Sequence, residues 1–548
     1  MLLSVLAAGC VGAIGVPPGS PPGGTGAPGG SLDVGRVAVH RLNSAEYDNT
    51  VFDLLGVRGS AATTFIPDEK ALGFDTIADA FTMGDARFEQ YFNAADILVE
   101  QALADPGLRA RILTCAPAAP GDAAACTRAI VQSFGLRAWR RPLNAAEVDS
   151  LIQLGSDALA LGEDFAGSVK QVVKTLLMSA QFLYRVEIDP QPASAVAHPL
   201  DGYELASRLS YLLWSSMPDA RLFELAGAGR LQDDAVLAAE VDRLLADPRG
   251  ASFVSSFAGQ WLGLRDLASH QVEASAFPDW NESLRQSMLR EGLLYFSEFL
   301  GGAAGGRNER SLAEFFTADV NFADARLAAL YGIAGPAAAA SEPVRVVDLG
   351  DQRRGFLGLA SFLTVTSYSY RTAPTLRGKW VLENLLCQTI PAPPPNIPKL
   401  DDGQAGSAAT QSLNIRQRLA EHRANPLCAS CHDTLDPIGL GLESFDAIGR
   451  YRAVYANGDA VDASGVLPDG SRFNGIQQLS ALLSADARFT DCASQKLMTY
   501  ALSRRLGDAD APFIQQARVR WKEQGLGLRA LIQLLVASPT FRQRHGQI

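Results

Sequence analysis

From Val37 onward apolar residues recur at helical spacing, and strand-like alternation is scarce. Ser44 stands at an N-cap position ahead of an apolar stripe through Val51, Leu54 and Leu55. Asn144 precedes a similar stripe through Val148, Leu151, Ile152 and Leu154. Asp201 opens a strong helical run through Trp214 that stops near Met217-Pro218. Segments 237–245, 253–264, 284–300 and 415–423 continue the pattern. Proline- and glycine-rich breaks fall at 189–197, 335–343 and 391–398. Val344–Val347 and a turn-rich patch at 455–473 are the main strand candidates. The expected fold class is mainly α, with several helical units.

The chain echoes itself. Cys126, Ser133-Phe134, Arg140-Arg141 and a helix ending Ser179-Ala-Gln-Phe182 are matched near the other end. There Cys492, Thr499-Tyr500, Arg504-Arg505 and Ser538-Pro-Thr-Phe541 follow in the same order. Two helical hairpins of similar plan are expected.

The 548 residues are 47% hydrophobic and 20% charged, an ordinary globular balance with room for sizeable cores. The formal charge of −11 is opposite in sign to that of a typical nucleic-acid binder. No apolar run is long enough for a multi-pass membrane protein. The opening apolar run, residues 1–10, ends Leu6-Ala-Ala-Gly-Cys10 and resembles a bacterial lipoprotein signal, in which the cysteine takes the lipid. It departs from that pattern at Ala7, where leucine is usual. The Pro/Gly-rich segment 11–36 reads as a flexible tether. Together they predict a protein at the cell envelope, on its periplasmic or outer-membrane surface, held to the membrane by a lipid anchor only.

Cys428-Ala-Ser-Cys431-His432 is the sharpest chemical signal. C-x-x-C-H is the attachment sequence of covalent c-type haem. Two thiols reach the porphyrin vinyls as thioethers, and the next residue supplies the proximal imidazole. A structural zinc site needs four ligands, and the chain has no second pair. A thioredoxin-like pair needs a βαβ context, whereas these flanks read helical. A plain disulfide is the remaining rival. Beyond the motif, Leu435, Ile438, Leu440, Leu442 and Phe445 are candidates to wall the ring. The Pro437 carbonyl is the candidate acceptor for the His432 ring N–H. Arg450 and Arg452 are candidates for the haem propionates.

Met498 and His422 are the candidate sixth ligands; an open sixth position would point to ligand or peroxide chemistry. Cys115 and Cys126 suit a disulfide across a Pro/Ala/Gly loop. Cys387 and Cys492 then remain and are paired, with buried free thiols as the alternative.

These segments resemble a family of exported bacterial proteins built from five small domains of unknown function, named for the central one, 1592. Residues 37–105, around His40-Arg-Leu-Asn-Ser-Ala-Glu-Tyr47, resemble its 1587 domain. Residues 106–190, with Trp139-Arg-Arg-Pro-Leu143, resemble 1595, and 198–335 resemble 1592 itself. Residues 344–473 resemble 1588, which carries the haem motif, and 474–548 resemble 1585. Ser503 and Tyr451 depart from a frequent glycine and tryptophan. The resemblance implies a cytochrome-like protein and supports architecture and cofactor more than substrate. The combined expectation is a C-terminal cytochrome c-like domain with one covalent haem c. It would transfer one electron to a redox partner protein or within an oxidoreductase. The alternatives are a peroxidase-like haem enzyme with an open iron site and a cell-surface binding protein with structural haem.

Overall fold

The computed structural model describes residues 34, 39–59, 61–301, 309–334, 342–347, 349–350, 352–391 and 413–546. Cys10 and the 1–10 run lie outside the described residues, as do all of the 11–36 tether but Val34 and most of the breaks at 335–343 and 391–398. Helices make up about 60% of the chain, so the fold is mainly α. The named strands among the described residues pair two by two. Val344–Val347 pairs antiparallel with Val320–Ala323, and Ser464–Val466 pairs with Arg472–Asn474 inside the turn-rich patch.

Helix starts follow capping chemistry. The first long helix, Ser44–Leu55, is capped by Asn43 rather than Ser44. The Asn43 side chain accepts from the Glu46 N–H while Glu46 accepts from the Asn43 N–H, a reciprocal box that fixes the boundary. Asn144 and Asp201 form the same box with Glu147 and Glu204. The helix Gly202–Trp214 ends at left-handed Ser215, two residues before Met217. The 253–264 run is not a uniform helix: Val254–Ala258 widens into a π-helical turn.

The internal echo is three-dimensional and longer than the sequence signal. In the first copy, strand His40–Arg41 pairs with Tyr184–Arg185, and the Leu42 N–H donates to the Leu183 carbonyl at 2.8 Å. In the second, His198–Pro199 pairs with Gln543–Arg544, and the Leu200 N–H donates to the Arg542 carbonyl at 2.9 Å. Both first strands lead directly into a boxed helix. Ala123–Trp139 ends on left-handed Arg140, and Ala487–Leu502 ends on left-handed Ser503. After each cap an arginine reaches a carboxylate six residues on, Arg141 to Glu147 at 2.7 Å and Arg504 to Asp510 at 2.8 Å. Ser179 and Ser538 then cap the last turns by accepting from the Phe182 and Phe541 N–H groups. Matching these caps displaces Cys126 from Cys492 by about one helical turn, so the cysteines are not strict equivalents. The second copy is interrupted between Trp214 and Ala487 by the whole central part of the chain, including the C-x-x-C-H helix.

The five sequence segments do not build five separate cores. Buried residues from Leu42 to Leu183 form one cluster, joined by Tyr211 and Met217. A larger cluster runs from Leu205 to Phe541, joined by Phe74 and Ile77 of the first segment, and merges the central, C-x-x-C-H and C-terminal segments. A small third cluster surrounds Met288 and Leu327. Beside it Glu291 is fully buried; Asn321 Nδ2 donates to its Oε1 at 2.7 Å, and the Tyr331 hydroxyl donates to the same atom. Burial pushes the Glu291 carboxyl up to about 7. The folded protein therefore keeps this proton while the unfolded chain loses it near 4.5. Stability from this group is present in full below about 4.5, falls as pH rises toward about 7, and is flat above. Comparing urea unfolding of wild type and Glu291→Gln at pH 5, 6 and 7.5 should show the wild type losing about 2.4 kcal/mol relative to the variant across that interval. A constant difference would refute the assignment.

Candidate functional site

The C-x-x-C-H sequence lies on the helix Pro426–Leu440. Proline at the first position suits a helix start, and the Asn425 side chain accepts from the Leu427 N–H at 3.0 Å. Helical repeat places Cys428, His432 and Asp436 along one side at intervals of four, with Cys431 one turn from Cys428. A second helix, Pro374–Trp380, crosses this one at backbone contact. A Cβ on Gly439 would lie 1.8 Å from the Pro374 carbonyl oxygen, and one on Gly378 would lie 1.8 Å from that of Leu435. Only glycine fits either place without separating the helices. Gly439→Ala should therefore cost about 3 kcal/mol, read as a lowered urea midpoint; a loss under about 1 kcal/mol would mean that the crossing is looser than described.

The close crossing brings Thr375 to Asp436. Thr375 Oγ1 donates to Asp436 Oδ1 at 2.7 Å, and the Asp436 side chain has no solvent exposure. His432 Nδ1 lies 3.0 and 3.1 Å from the two Asp436 oxygens. A carboxylate only accepts, so Nδ1 carries the proton and Nε2 is left as the ligating atom. This corrects the expected partner of the ring. The helix runs on through Pro437, whose carbonyl accepts the Gly441 N–H at 3.0 Å within the helical ladder. The residue four positions after His432 takes the role instead, and helical spacing was the signal that could have found it.

The cysteines divide cleanly. Cys115 is bonded to Cys126 and Cys387 to Cys492. Cys428 and Cys431 are free; the first is buried and the second half-buried against the large core. Of the two candidate sixth ligands, the structure brings His422 to His432, their ring centroids 4.7 Å apart and edge to face. Burial, and then the neighbouring His432, hold the His422 imidazole below its ordinary range, which favours the neutral form that ligates metals. Met498 is 2% exposed and packs in the large core. Leu435, Ile438, Leu440, Leu442 and Phe445 are all buried. Arg450 bonds Asp279, and Arg452 Nη2 donates to Glu443 Oε2 at 2.8 Å. Both arginines therefore already have carboxylate partners.

Arg377, on the crossing helix, is the hub of the loop that follows the motif. Its guanidinium donates to the carbonyls of Leu442, Phe445, Asp446 and Leu363 and to Ser367 Oγ, at 2.9–3.3 Å. It stands 3.7 Å from Glu443, and neither side chain is exposed. Burial pushes Arg377 down to about 10, which leaves it charged at neutral pH. On another side of the motif helix, Asp433, Pro437 and Leu440 line a cleft of about 660 Å³ walled by Phe473 and rimmed by Arg416, Arg423 and Arg472.

This donor set fits a c-type haem. Among the described residues no group of three or more His, Cys, Asp and Glu side chains could hold a bare metal ion. Haem iron takes four nitrogens from its porphyrin and needs one imidazole beneath it, which His432 offers with its tautomer fixed. The two free thiols stand at the thioether spacing on the same helix. No helix among the described residues is long and apolar enough to cross a membrane.

Five family models match in order, each described as a protein of unknown function. DUF1587 covers 40–104, DUF1595 covers 126–187 and DUF1592 covers 200–333. DUF1588, whose model carries the cytochrome-type name PSCyt3, covers 353–455, and DUF1585 covers 469–541. The C-x-x-C-H helix falls inside the PSCyt3 match, which suggests a cytochrome c-like domain there. No curated protein and no solved structure matches. With all five domains present in one chain, the protein belongs to the multi-domain family named for DUF1592.

Proposed function

We propose that the chain is an exported, mono-haem c-type cytochrome-like protein that carries one electron at the cell envelope, passing it to a partner protein or within an oxidoreductase. One observation carries the reading: Cys428 and Cys431 stay free at thioether spacing beside an oriented His432, while the other four described cysteines are paired. The two disulfides suit an oxidising compartment, in which covalent haem attachment also takes place, and lipid on Cys10 would hold the protein there.

Cys428 and Cys431 would hold the haem, each S–H adding across a vinyl group so that no oxidant is consumed. His432 would bind from Nε2, and His422 or Met498 is the candidate for the opposite face. When bound, the haem supplies a one-electron Fe(III)/Fe(II) couple. The buried apolar side chains after the motif, Leu435, Ile438, Leu440, Leu442 and Phe445, keep water from that part of the structure and lower the local polarity. Arg452 and Arg377 neutralise buried Glu443, so that no unpaired charge stands there. Electron transfer asks no residue to move a proton. Expression with and without c-type maturation machinery tests the reading. The matured protein should gain the mass of one haem that survives denaturation, and Cys428→Ser with Cys431→Ser should abolish the gain. Unmodified mass under maturing conditions would refute it.

A further inference from the structure

We propose that Asp436 is the positioning residue for the axial histidine: its buried carboxylate holds the His432 Nδ1–H, makes Nε2 a stronger donor than a carbonyl-bonded imidazole, and so biases the haem iron toward the ferric state. This inference rests on the haem reading and adds to it how the couple is tuned.

The geometry is specific. Both Asp436 oxygens lie within 3.1 Å of Nδ1, so the ring nitrogen faces the carboxylate fork rather than a single atom. The side chain is shut off from solvent, where a charge acts at full strength. Asp436 is itself held by a single short hydrogen bond from Thr375, on a helix whose approach depends on Gly378 and Gly439. The nearest cation, Arg423 Nε, is 3.8 Å away, beyond hydrogen-bonding distance, and this nitrogen has no other hydrogen-bond partner. Arg423 is thus an ion-pair partner only, and among the described residues the hydrogen bonds to the Asp436 side chain come from His432 and Thr375. A charge-assisted hydrogen bond is about twice as strong as a neutral one. It draws the proton from Nδ1 and raises electron density at Nε2. Ferric iron carries one more positive charge than ferrous and gains more from that density, so the potential falls. A backbone carbonyl in the same place would give a weaker effect of the same sign.

Potentiometric titration of the haem-loaded protein tests this, with haem attachment read separately by the alkaline pyridine spectrum. Asp436→Asn should raise the ferrous-to-ferric ratio at fixed ambient potential at least tenfold, equivalent to about 59 mV for one electron. Asp436→Glu should recover part of the shift. Thr375→Val, which removes a donor competing for the carboxylate, should move the ratio the other way, about threefold. Structural damage alone would not reverse sign between the two sites. If Asp436→Asn fails to fold or to take haem, the Thr375→Val shift decides, and a ratio unchanged or raised overturns the proposal. A red Asp436→Asn protein with a ratio within twofold of wild type overturns it while leaving the haem reading intact. Wild-type protein without covalent haem overturns both.

Discussion

Arg377→Met is expected to destabilise the protein by about 3–5 kcal/mol, although residue 377 lies well before the C-x-x-C-H motif in sequence. The guanidinium is fully buried and gathers four backbone carbonyls and a serine hydroxyl from two stretches of chain, 363–367 and 442–446. Methionine fills much of the same volume, so the loss is electrostatic. It strands the carbonyls and leaves Glu443 with Arg452 and Thr372 as its partners. Arg377→Lys keeps the charge but cannot fan out to as many acceptors, and should recover less than half of the loss. Urea unfolding gives the magnitude. Hydrogen exchange should locate it, with amides of 442–446 losing protection first. A loss below about 1 kcal/mol would show that the carbonyls find other donors.

Replacing Cys387 and Cys492 together by serine should cost ~4–5 kcal/mol, the largest effect expected of any single crosslink here. The bond closes a loop of 105 residues that contains the C-x-x-C-H helix, Pro426–Leu440. Cutting it returns that much chain freedom to the unfolded state. The Cys115–Cys126 bond closes only 11 residues and should be worth ~3 kcal/mol. Thermal unfolding of the two double-serine variants should rank them in that order. The opposite order would mean that strain or residual structure, rather than loop length, governs the crosslinks. Because both thiols are removed in each variant, no lone reactive thiol confuses the comparison.

What the sequence made legible follows from the range of each interaction. Helices were readable because their periodicity and caps are local: Asn144 caps as expected, the run expected from Asp201 to Trp214 is a helix with Asp201 as its cap, and even the Asn43 correction rests on a box spelled within four residues. The disulfide partners were readable because few cysteines remained once the motif had claimed two. The role of Asp436 was legible in principle, since four positions along a helix places it beside His432. The role was given instead to the Pro437 carbonyl, whereas the helix carries that proline on to Leu440 and the carbonyl accepts the Gly441 N–H. Longer-range facts left no such trace. Nothing in the glycine at 439 tells that Pro374 will press against it. The pairing of His40 with Arg185 and of His198 with Arg544 is set by packing of everything between. The apolar stripes reveal how much surface each segment must bury, but not that the last three segments bury theirs together.

Covalent haem attachment would rest on two sulfur atoms, those of Cys428 and Cys431. Intact-mass spectrometry of protein made in a host with haem-maturation machinery, after full denaturation and acid extraction, reads their state directly. One haem retained on a tryptic peptide containing Cys428 and Cys431, and absent from the Cys428→Ser, Cys431→Ser variant, is the predicted result. A colourless chain of unmodified mass, with both thiols open to alkylation, would contradict it.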